Sequence, residues 1–130
     1  MVESIFTKII RGEIPAWKIY EDGKTVAFLD VRPIQLGQVL VVPKVEVDKF
    51  YDLADEDYAA LFLTVKKVAK QMEKVLRKRI VVFIEGFEVP HVHVKLIPAE
   101  VGEDAHEFPR EAIEEDLREM WEKLKMVDEK

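Results

Sequence analysis

The stretch that decides the fold is Val89-Pro90-His91-Val92-His93-Val94-Lys95-Leu96-Ile97-Pro98. In an extended strand alternate side chains share a face, so His91, His93 and Lys95 lie on one side and apolar residues on the other. The alternation predicts a strand over residues 91–97 that Pro98 ends. Neighbours on one face lie roughly 7 Å apart, so we expect three cation-capable groups in a row that engage one phosphate group together.

The two histidines of this strand suit several kinds of site. A histidine can be neutral and nucleophilic at cellular pH, and it can form a covalent adduct that a second acceptor resolves, which fits nucleotidyl transfer. Ordinary surface or packing histidines are an equally open interpretation. A zinc site is the third, and it needs a distant ligand such as His106 or a carboxylate, because catalytic zinc usually has three protein ligands.

The residues upstream of this strand predict a short helix, a hairpin and a buried strand. Residues 4–11 have apolar side chains at helical spacing, and Gly12 suits the end of a helix. Alternating residues flank Asp22-Gly23, a dipeptide favoured in hairpin turns. Residues 38–42 form a near-continuous apolar run before Pro43, which predicts a strand buried on both faces.

Two longer helices and a further strand complete the predicted elements. Asp55-Glu56-Asp57 supplies the acidic first turn of a long helix. Residues 80–84 predict a strand that Gly86 breaks. Pro109 suits the first turn of a last helix over about residues 109–127. The apolar residues of the long helix step by four, three, four and three along one stripe that faces the sheet, at Leu61, Val65, Val68, Met72 and Val75.

These elements predict an α+β domain with a five-stranded, mainly antiparallel sheet, one long helix and shorter terminal helices. The chain has 130 residues, of which 48% are hydrophobic. That length fits one domain with one packed core, so we expect a single domain over residues 1–130.

Composition narrows the classes of function. The formal net charge of −6 argues against broad nucleic-acid binding, which needs a basic surface. No apolar run approaches the roughly 20 residues that span a bilayer, so we expect no membrane partner. The chain has no cysteine, which excludes disulfides and thiolate chemistry. We therefore expect a soluble cytoplasmic protein.

Several motifs agree in order and spacing with one known family. They are Ile5-Phe6-Thr7-Lys8-Ile9-Ile10-Arg11-Gly12-Glu13-Ile14-Pro15, Tyr20-Glu21-Asp22, Ala27-Phe28-Leu29-Asp30-Val31, Gly37-Gln38-Val39-Leu40-Val41-Val42-Pro43-Lys44 and the stretch from Val89 to Pro98 quoted above. Over residues 4–98 the sequence resembles the histidine triad family.

The resemblance implies a function and a set of site residues. Family members bind purine nucleotides and cleave a bond at the α-phosphate of nucleoside phosphoramidates or dinucleoside polyphosphates, or transfer the nucleotidyl group, usually as homodimers. By position, His93 corresponds to the nucleophile and His91 to the histidine that supports it. Asp30 corresponds to the acceptor for the ribose hydroxyls. The base pocket would be lined by Ile5, Phe6, Ile9, Phe28 and Val31, although buried aliphatic side chains are also ordinary core.

The sequence departs from the family at six positions. Lys95 stands where the family has its third histidine, and a lysine holds phosphate as a point charge but is a poor proton donor at neutral pH. Glu88 falls where other members place a hydroxyl near phosphate, so it either repels an anionic substrate or pairs with Lys95. Ser4 and Thr7 occupy positions of a paired-cysteine metal site, and Gln38 and Glu46 positions where histidines are common, so we expect neither a metal nor a cofactor.

Two hypotheses follow for the function. The first is a nucleotide hydrolase or nucleotidyl transferase in which His93 attacks the α-phosphorus, with His91 and Lys95 as the other catalytic residues. The second is a nucleotide-binding or interaction protein that has kept the pocket and lost efficient catalysis, as Lys95 and Glu88 together suggest.

Overall fold

The computed structural model describes residues 3–103 and 109–127. Its elements, in chain order, are α1 (Ile5–Ile10), β1 (Lys18–Glu21), β2 (Thr25–Leu29), β3 (Val39–Pro43), a 3-10 turn (Phe50–Asp52), α2 (Asp55–Leu76), β4 (Arg79–Phe83), β5 (Val94–Ala99) and α3 (Glu114–Leu124). The five strands form one sheet in the order β1-β2-β3-β5-β4, and every neighbouring pair is antiparallel. The predicted α+β fold is confirmed.

One face of the sheet packs against α2. Alternate residues of the central strands, such as Ala27, Val41 and Leu96, lie in one buried apolar cluster with Leu61 and Met72 of α2. Four of the five residues predicted for the stripe of the helix are buried, and the fifth, Val75, is partly buried and packs against the cluster. α3 adds its own apolar side chains to this cluster, so α2 and α3 lie on the same side of the sheet.

The other face of the sheet packs against α1. Phe6 and Ile9 of α1 form a second apolar cluster with Phe28 of β2 and Leu40 of β3. β3 is therefore buried on both faces, as predicted from its continuous apolar run. α1 has only six residues, so it covers only part of this face.

The strand that carries the histidine pattern differs from the prediction at both ends. It begins at Val94, and residues 91–93 lie outside it because the Val92 N–H donates to the carbonyl of Val47, in the segment that follows β3. At the other end Pro98 lies inside the strand and pairs with Ile80 of β4. The pairing between β3 and β5 stops at Leu96, so Pro98 lies where the strand has a neighbour on one side, which is where strands accommodate proline.

The last helix also begins later than predicted. Pro109 does not start it; α3 begins at Glu114. The preceding residues are held outside the helix because the Arg110 N–H donates to Pro33 O at 3.3 Å and the Ala112 N–H donates to Val31 O at 3.0 Å. The C-terminal segment therefore runs along the 31–33 loop before it turns into a helix.

Candidate functional site

A cavity of about 1110 Å³ lies on the α1 face of the sheet. Its walls come from α1, the end of β2, the start of β3, the 83–89 segment, β5 and the residues before α3. Nine of the ten residues predicted for the site line it together: Ile5, Phe6, Ile9, Phe28, Asp30, Val31, Glu88, His93 and Lys95. The tenth, His91, does not.

The hydrogen bond at one ring nitrogen of His93 determines the state of the other. Its Nδ1 lies 2.8 Å from the carbonyl oxygen of His91. A carbonyl oxygen only accepts, so Nδ1 carries the proton and the neutral ring keeps a lone pair on Nε2. Burial lowers the pKa of His93, and the nearby Lys95 ammonium lowers that pKa further. The arrangement keeps the imidazole neutral, which is the nucleophilic form.

Phe6 helps to hold the His93 ring. The two ring centroids lie 4.9 Å apart with the planes inclined at 64°, an edge-to-face contact. Phe6 makes a second contact of the same kind with His91 at 5.8 Å. Because Phe6 also lines the cavity, the wall of the pocket and the histidine pair share one packed aromatic residue.

His91 is withdrawn from the cavity, which corrects the expectation of three groups in a row. Its side chain is fully buried, and both ring nitrogens have partners. Nε2 donates to the Pro43 carbonyl at 2.8 Å, and Nδ1 lies 2.6 Å from the hydroxyl oxygen of Ser4. Burial lowers the pKa of His91, and the ring is not part of the cavity lining, so it is not placed to engage phosphate. Strand alternation places the ring on the correct face, but the 91–93 segment is tied to the segment after β3 before β5 begins.

Lys95 lies at the cavity with a carboxylate beside it. Its Nζ is 3.4 Å from Oε1 of Glu85, and its side chain is 18% exposed. Sequence reasoning named Glu88 as the possible partner of Lys95 and missed Glu85, although both glutamates line the cavity. The two carboxylates lie on the same loop, and nothing in the sequence distinguishes them.

Asp30 lies at the end of β2 in a largely buried position. Burial raises the pKa of its carboxyl. The Arg32 N–H donates to Asp30 Oδ1 at 2.9 Å and opposes this rise, because the hydrogen bond stabilises the carboxylate. The Lys95 ammonium lies near enough to lower the same pKa. The Gln38 amide donates to Asp30 Oδ2 at 2.9 Å while its oxygen accepts from the Ile34 N–H at 2.8 Å. Two donors therefore fix this carboxylate, which as an anion can accept further hydrogen bonds.

Other residues of the cavity were not found from the sequence. Pro109 and Glu114 line it from the C-terminal segment, and Trp17 lines it from the residues before β1. Pro109 and Glu114 reach the site through the hydrogen bonds between residues 110–112 and the 31–33 loop, and Trp17 reaches it beside the end of β2, where its carbonyl accepts the Leu29 N–H at 3.0 Å. Such contacts join segments distant in the chain, and no local pattern signals them.

Within the residues that the structure describes, no cluster of three or more histidine, cysteine, aspartate or glutamate side chains could hold a metal ion. No helix among them is long and apolar enough to cross a bilayer. His106, considered above as a distant zinc ligand, lies outside the described residues.

The chain matches the model of the HIT domain over residues 11–102. It is 38% identical to an uncharacterised HIT-like protein of Methanocaldococcus jannaschii, covering 76% of this chain and 81% of that protein. It is 35% identical to an adenosine 5'-monophosphoramidase of Candida albicans, covering 93% of this chain and 88% of that protein. Among solved structures, a Hit-like protein of Bartonella henselae superposes with a TM-score of 0.86 at 30% identity, covering 95% and 94% of the two chains. The chain therefore belongs to the HIT, or histidine triad, family.

Proposed function

We propose that this protein hydrolyses or transfers a purine nucleotide at its α-phosphate, through a covalent nucleotidyl intermediate on His93. The observation that carries the proposal is the His93 ring, whose Nδ1–H bond to the His91 carbonyl leaves Nε2 with a lone pair in a residue that lines the cavity. A relative that covers most of the chain is named adenosine 5'-monophosphoramidase, which supports nucleoside phosphoramidates as one substrate class. Dinucleoside polyphosphates are the other class.

The reaction has two balanced steps. In the first, Nε2 of His93 forms a bond to the α-phosphorus while the bond from phosphorus to the leaving group breaks, and the leaving group departs with the electron pair and takes a proton from the Lys95 ammonium. In the second, water or another acceptor attacks the same phosphorus and gives its proton to the Lys95 amine, while the N–P bond breaks and returns the lone pair to Nε2. A neutral imidazole is the form that the first step requires, and burial of His93 favours it.

The remaining cavity residues have roles in binding under this proposal. Phe6, Ile9 and Phe28 are largely buried and offer apolar surface to a purine, whereas Ile5 and Val31 are about half exposed and form the rim. The Asp30 carboxylate accepts hydrogen bonds from the ribose hydroxyls. His91 supports His93 through its backbone carbonyl. Glu88, which is exposed, faces the phosphate end of the substrate.

We also propose that Lys95 occupies the position of the third histidine of the triad. As an ammonium it attracts the phosphate, but an ammonium is a weaker acid than an imidazolium and gives the leaving group a proton less readily. The expected result is a site in which substrate binding is better preserved than turnover.

A fluorogenic adenosine phosphoramidate tests the reaction. We expect the wild-type protein to release the fluorophore and His93→Ala to lose about a thousand-fold or more in kcat, as nucleophile substitutions do. Calorimetric titration with a purine mononucleotide serves as the control, because His93→Ala should still bind it. Full activity in His93→Ala contradicts the mechanism.

Lys95→His tests the proposed role of Lys95. A histidine there can donate a proton near neutral pH, so kcat should rise by more than nucleotide affinity does. The same assay and the same titration measure the two quantities. Unchanged or lower kcat in this variant counts against the account of Lys95.

A second candidate function is a catalytically weak nucleotide-binding or interaction protein with the family pocket. The ion pair between Lys95 and Glu85 favours it, because a lysine already paired with a carboxylate assists a departing group less. Micromolar binding of a purine mononucleotide without turnover of the phosphoramidate would select this function over the first. Absence of any nucleotide binding defeats both.

The homodimer, the cytoplasmic location and the single domain over residues 1–130 stay proposals. In the part of the chain that the structure describes, β4 is an edge strand paired with β5 alone, and its Val82 side chain is 45% exposed. An unpaired edge is a surface that a second copy of a chain can extend. Light scattering of the purified protein at several concentrations tests the dimer.

A further inference from the structure

Four side chains form a hydrogen-bonded cluster behind the cavity. Ser4 precedes α1, and its hydroxyl oxygen lies 2.6 Å from Nδ1 of His91 and accepts the Thr7 N–H at 3.0 Å. Oε1 of Glu46 accepts the Ser4 N–H at 2.9 Å and the Thr7 hydroxyl at 2.5 Å. Ser4 is 5% exposed and His91 is fully buried. The start of α1 is thus joined to the segment after β3 and to the buried histidine.

The directions of these hydrogen bonds follow from the chemistry of the groups. The Pro43 carbonyl can only accept, so Nε2 of His91 carries a proton. In the neutral ring Nδ1 then has no proton, and it accepts from the hydroxyl of Ser4. The hydroxyl also lies 3.3 Å from the Thr7 hydroxyl oxygen, but the contact with His91 is much shorter and takes the hydrogen, while the Thr7 N–H fills an acceptor site on the same oxygen. Ser4 therefore donates a hydrogen bond to the second ring nitrogen of His91, and Pro43 accepts one from the first.

The same residue, His91, presents its backbone carbonyl to Nδ1 of His93 at 2.8 Å. We propose that Ser4 is a positioning residue for His93 that acts through His91. By holding the His91 ring against Pro43 O, the Ser4 hydroxyl fixes the peptide whose carbonyl keeps the proton on Nδ1 of His93. The proposal rests on the proposed function, in which Nε2 of His93 attacks phosphorus.

A purely structural role for Ser4 makes a different prediction. Ser4 is the N-cap of α1, and a serine at that place stabilises a helix by accepting a backbone N–H. Glycine is nearly as good as serine at an N-cap, whereas alanine is clearly worse. Ser4→Gly removes the hydroxyl with little loss of capping, Ser4→Ala removes both, and Ser4→Thr keeps both. The three variants separate the two roles.

The kinetic test uses the full chain and the fluorogenic adenosine phosphoramidate. We expect Ser4→Gly and Ser4→Ala to lower kcat alike, by about ten-fold, with KM within about two-fold of wild type, as for loss of one buried hydrogen bond. Ser4→Thr should recover most of kcat. Thr7→Ala is the matched control, because it removes a hydroxyl from the same cluster and leaves the contact between Ser4 and His91. Wild-type kcat in Ser4→Gly, or loss in Ser4→Ala alone, overturns the proposal.

Nitrogen NMR of the histidine rings tests the same proposal without turnover. The chain has three histidines, so the ring signals are few. In the wild type we expect His93 as the single tautomer with the proton on Nδ1, and in Ser4→Gly a mixture of the two tautomers. An unchanged His93 ring spectrum in Ser4→Gly overturns the proposal even if the phosphoramidate is not a substrate. If the wild type is inactive but gives the expected spectra, the proposed function is wrong and the link between Ser4 and His93 is retained.

Discussion

The face of the sheet that packs on α2 is filled with apolar side chains, whereas the face that packs on α1 stays open over the cavity. α2 has 22 residues and its buried stripe joins the larger apolar cluster. α1 has six, and the smaller cluster beneath it leaves room for a cavity lined by His93, Asp30 and Lys95. The comparison indicates that one face supplies most of the stability and the other is free to hold polar groups for chemistry.

The largest effect on stability should come from the α2 face. Leu61→Ala removes a fully buried leucine from the large cluster and should lower the free energy of unfolding by about 2–5 kcal/mol. Leu63→Ala, in the same helix but at a 65% exposed position, is the matched control and should change it by less than about 0.5 kcal/mol. Urea denaturation measures both. Equal losses of stability in the two variants would show that the buried and exposed faces of α2 contribute equally, which contradicts the comparison.

A smaller loss of stability is expected at Gln38, whose buried amide lines the cavity. Gln38→Leu keeps the bulk but deprives Asp30 Oδ2 and the Ile34 N–H of their partner, which should cost about 1–3 kcal/mol of stability. Nucleotide affinity should fall as well, because Asp30 loses one of the two donors that fix it. Denaturation and calorimetric titration measure the two losses. Unchanged nucleotide affinity would show that Gln38 does not position Asp30 for binding.

The buried histidine pair should make stability depend on pH. Burial lowers the pKa values of His91 and His93 below the value of the unfolded chain. The unfolded state then binds more protons, so the free energy of unfolding is highest above the unfolded pKa of about 6.5 and falls as pH falls through the folded values. Denaturation curves between pH 5 and 8 measure the slope. His93→Gln should flatten it, and an identical slope in that variant contradicts the assignment.

The smallest effect on stability should come from the ion pair at the cavity. Glu85 is 49% exposed, so Glu85→Gln should change the free energy of unfolding by less than about 0.5 kcal/mol. The same change releases Lys95 from its carboxylate and should raise the affinity for a purine mononucleotide. Glu88→Gln is the matched control on the same loop. A larger gain in affinity from Glu88→Gln would identify Glu88 as the carboxylate that opposes the anion.

Local patterns in the sequence were enough to predict the fold. The double-sided apolar run of β3 and the stripe on α2 each depend on residues within one element, and both are observed, whereas the strand predicted over residues 91–97 is present only from Val94 onward. The cavity residues named from the family resemblance also lie together, apart from His91. Their roles in binding and catalysis stay predictions.

The rest depends on contacts between segments that are far apart in the chain. Ser4 and His91 are separated by 87 positions, and their hydrogen bond withdraws the His91 ring from the cavity. The path of the chain before α3 likewise depends on carbonyls of the 31–33 loop, which compete with the helical signal of Pro109. The choice of Glu85 over Glu88 by Lys95 depends on the path of one loop. No periodicity or motif encodes such pairings.

Trapping the covalent intermediate tests the central claim most directly. The protein is mixed with an adenosine phosphoramidate, quenched in alkali, where a phosphoryl-nitrogen bond to histidine survives, and analysed by mass spectrometry of the intact chain and of its peptides. We predict a mass increase of one adenylyl group, located on His93, in the wild type and its absence in His93→Ala. Turnover of the phosphoramidate with no adduct on His93, or an adduct that persists in His93→Ala, would contradict the account.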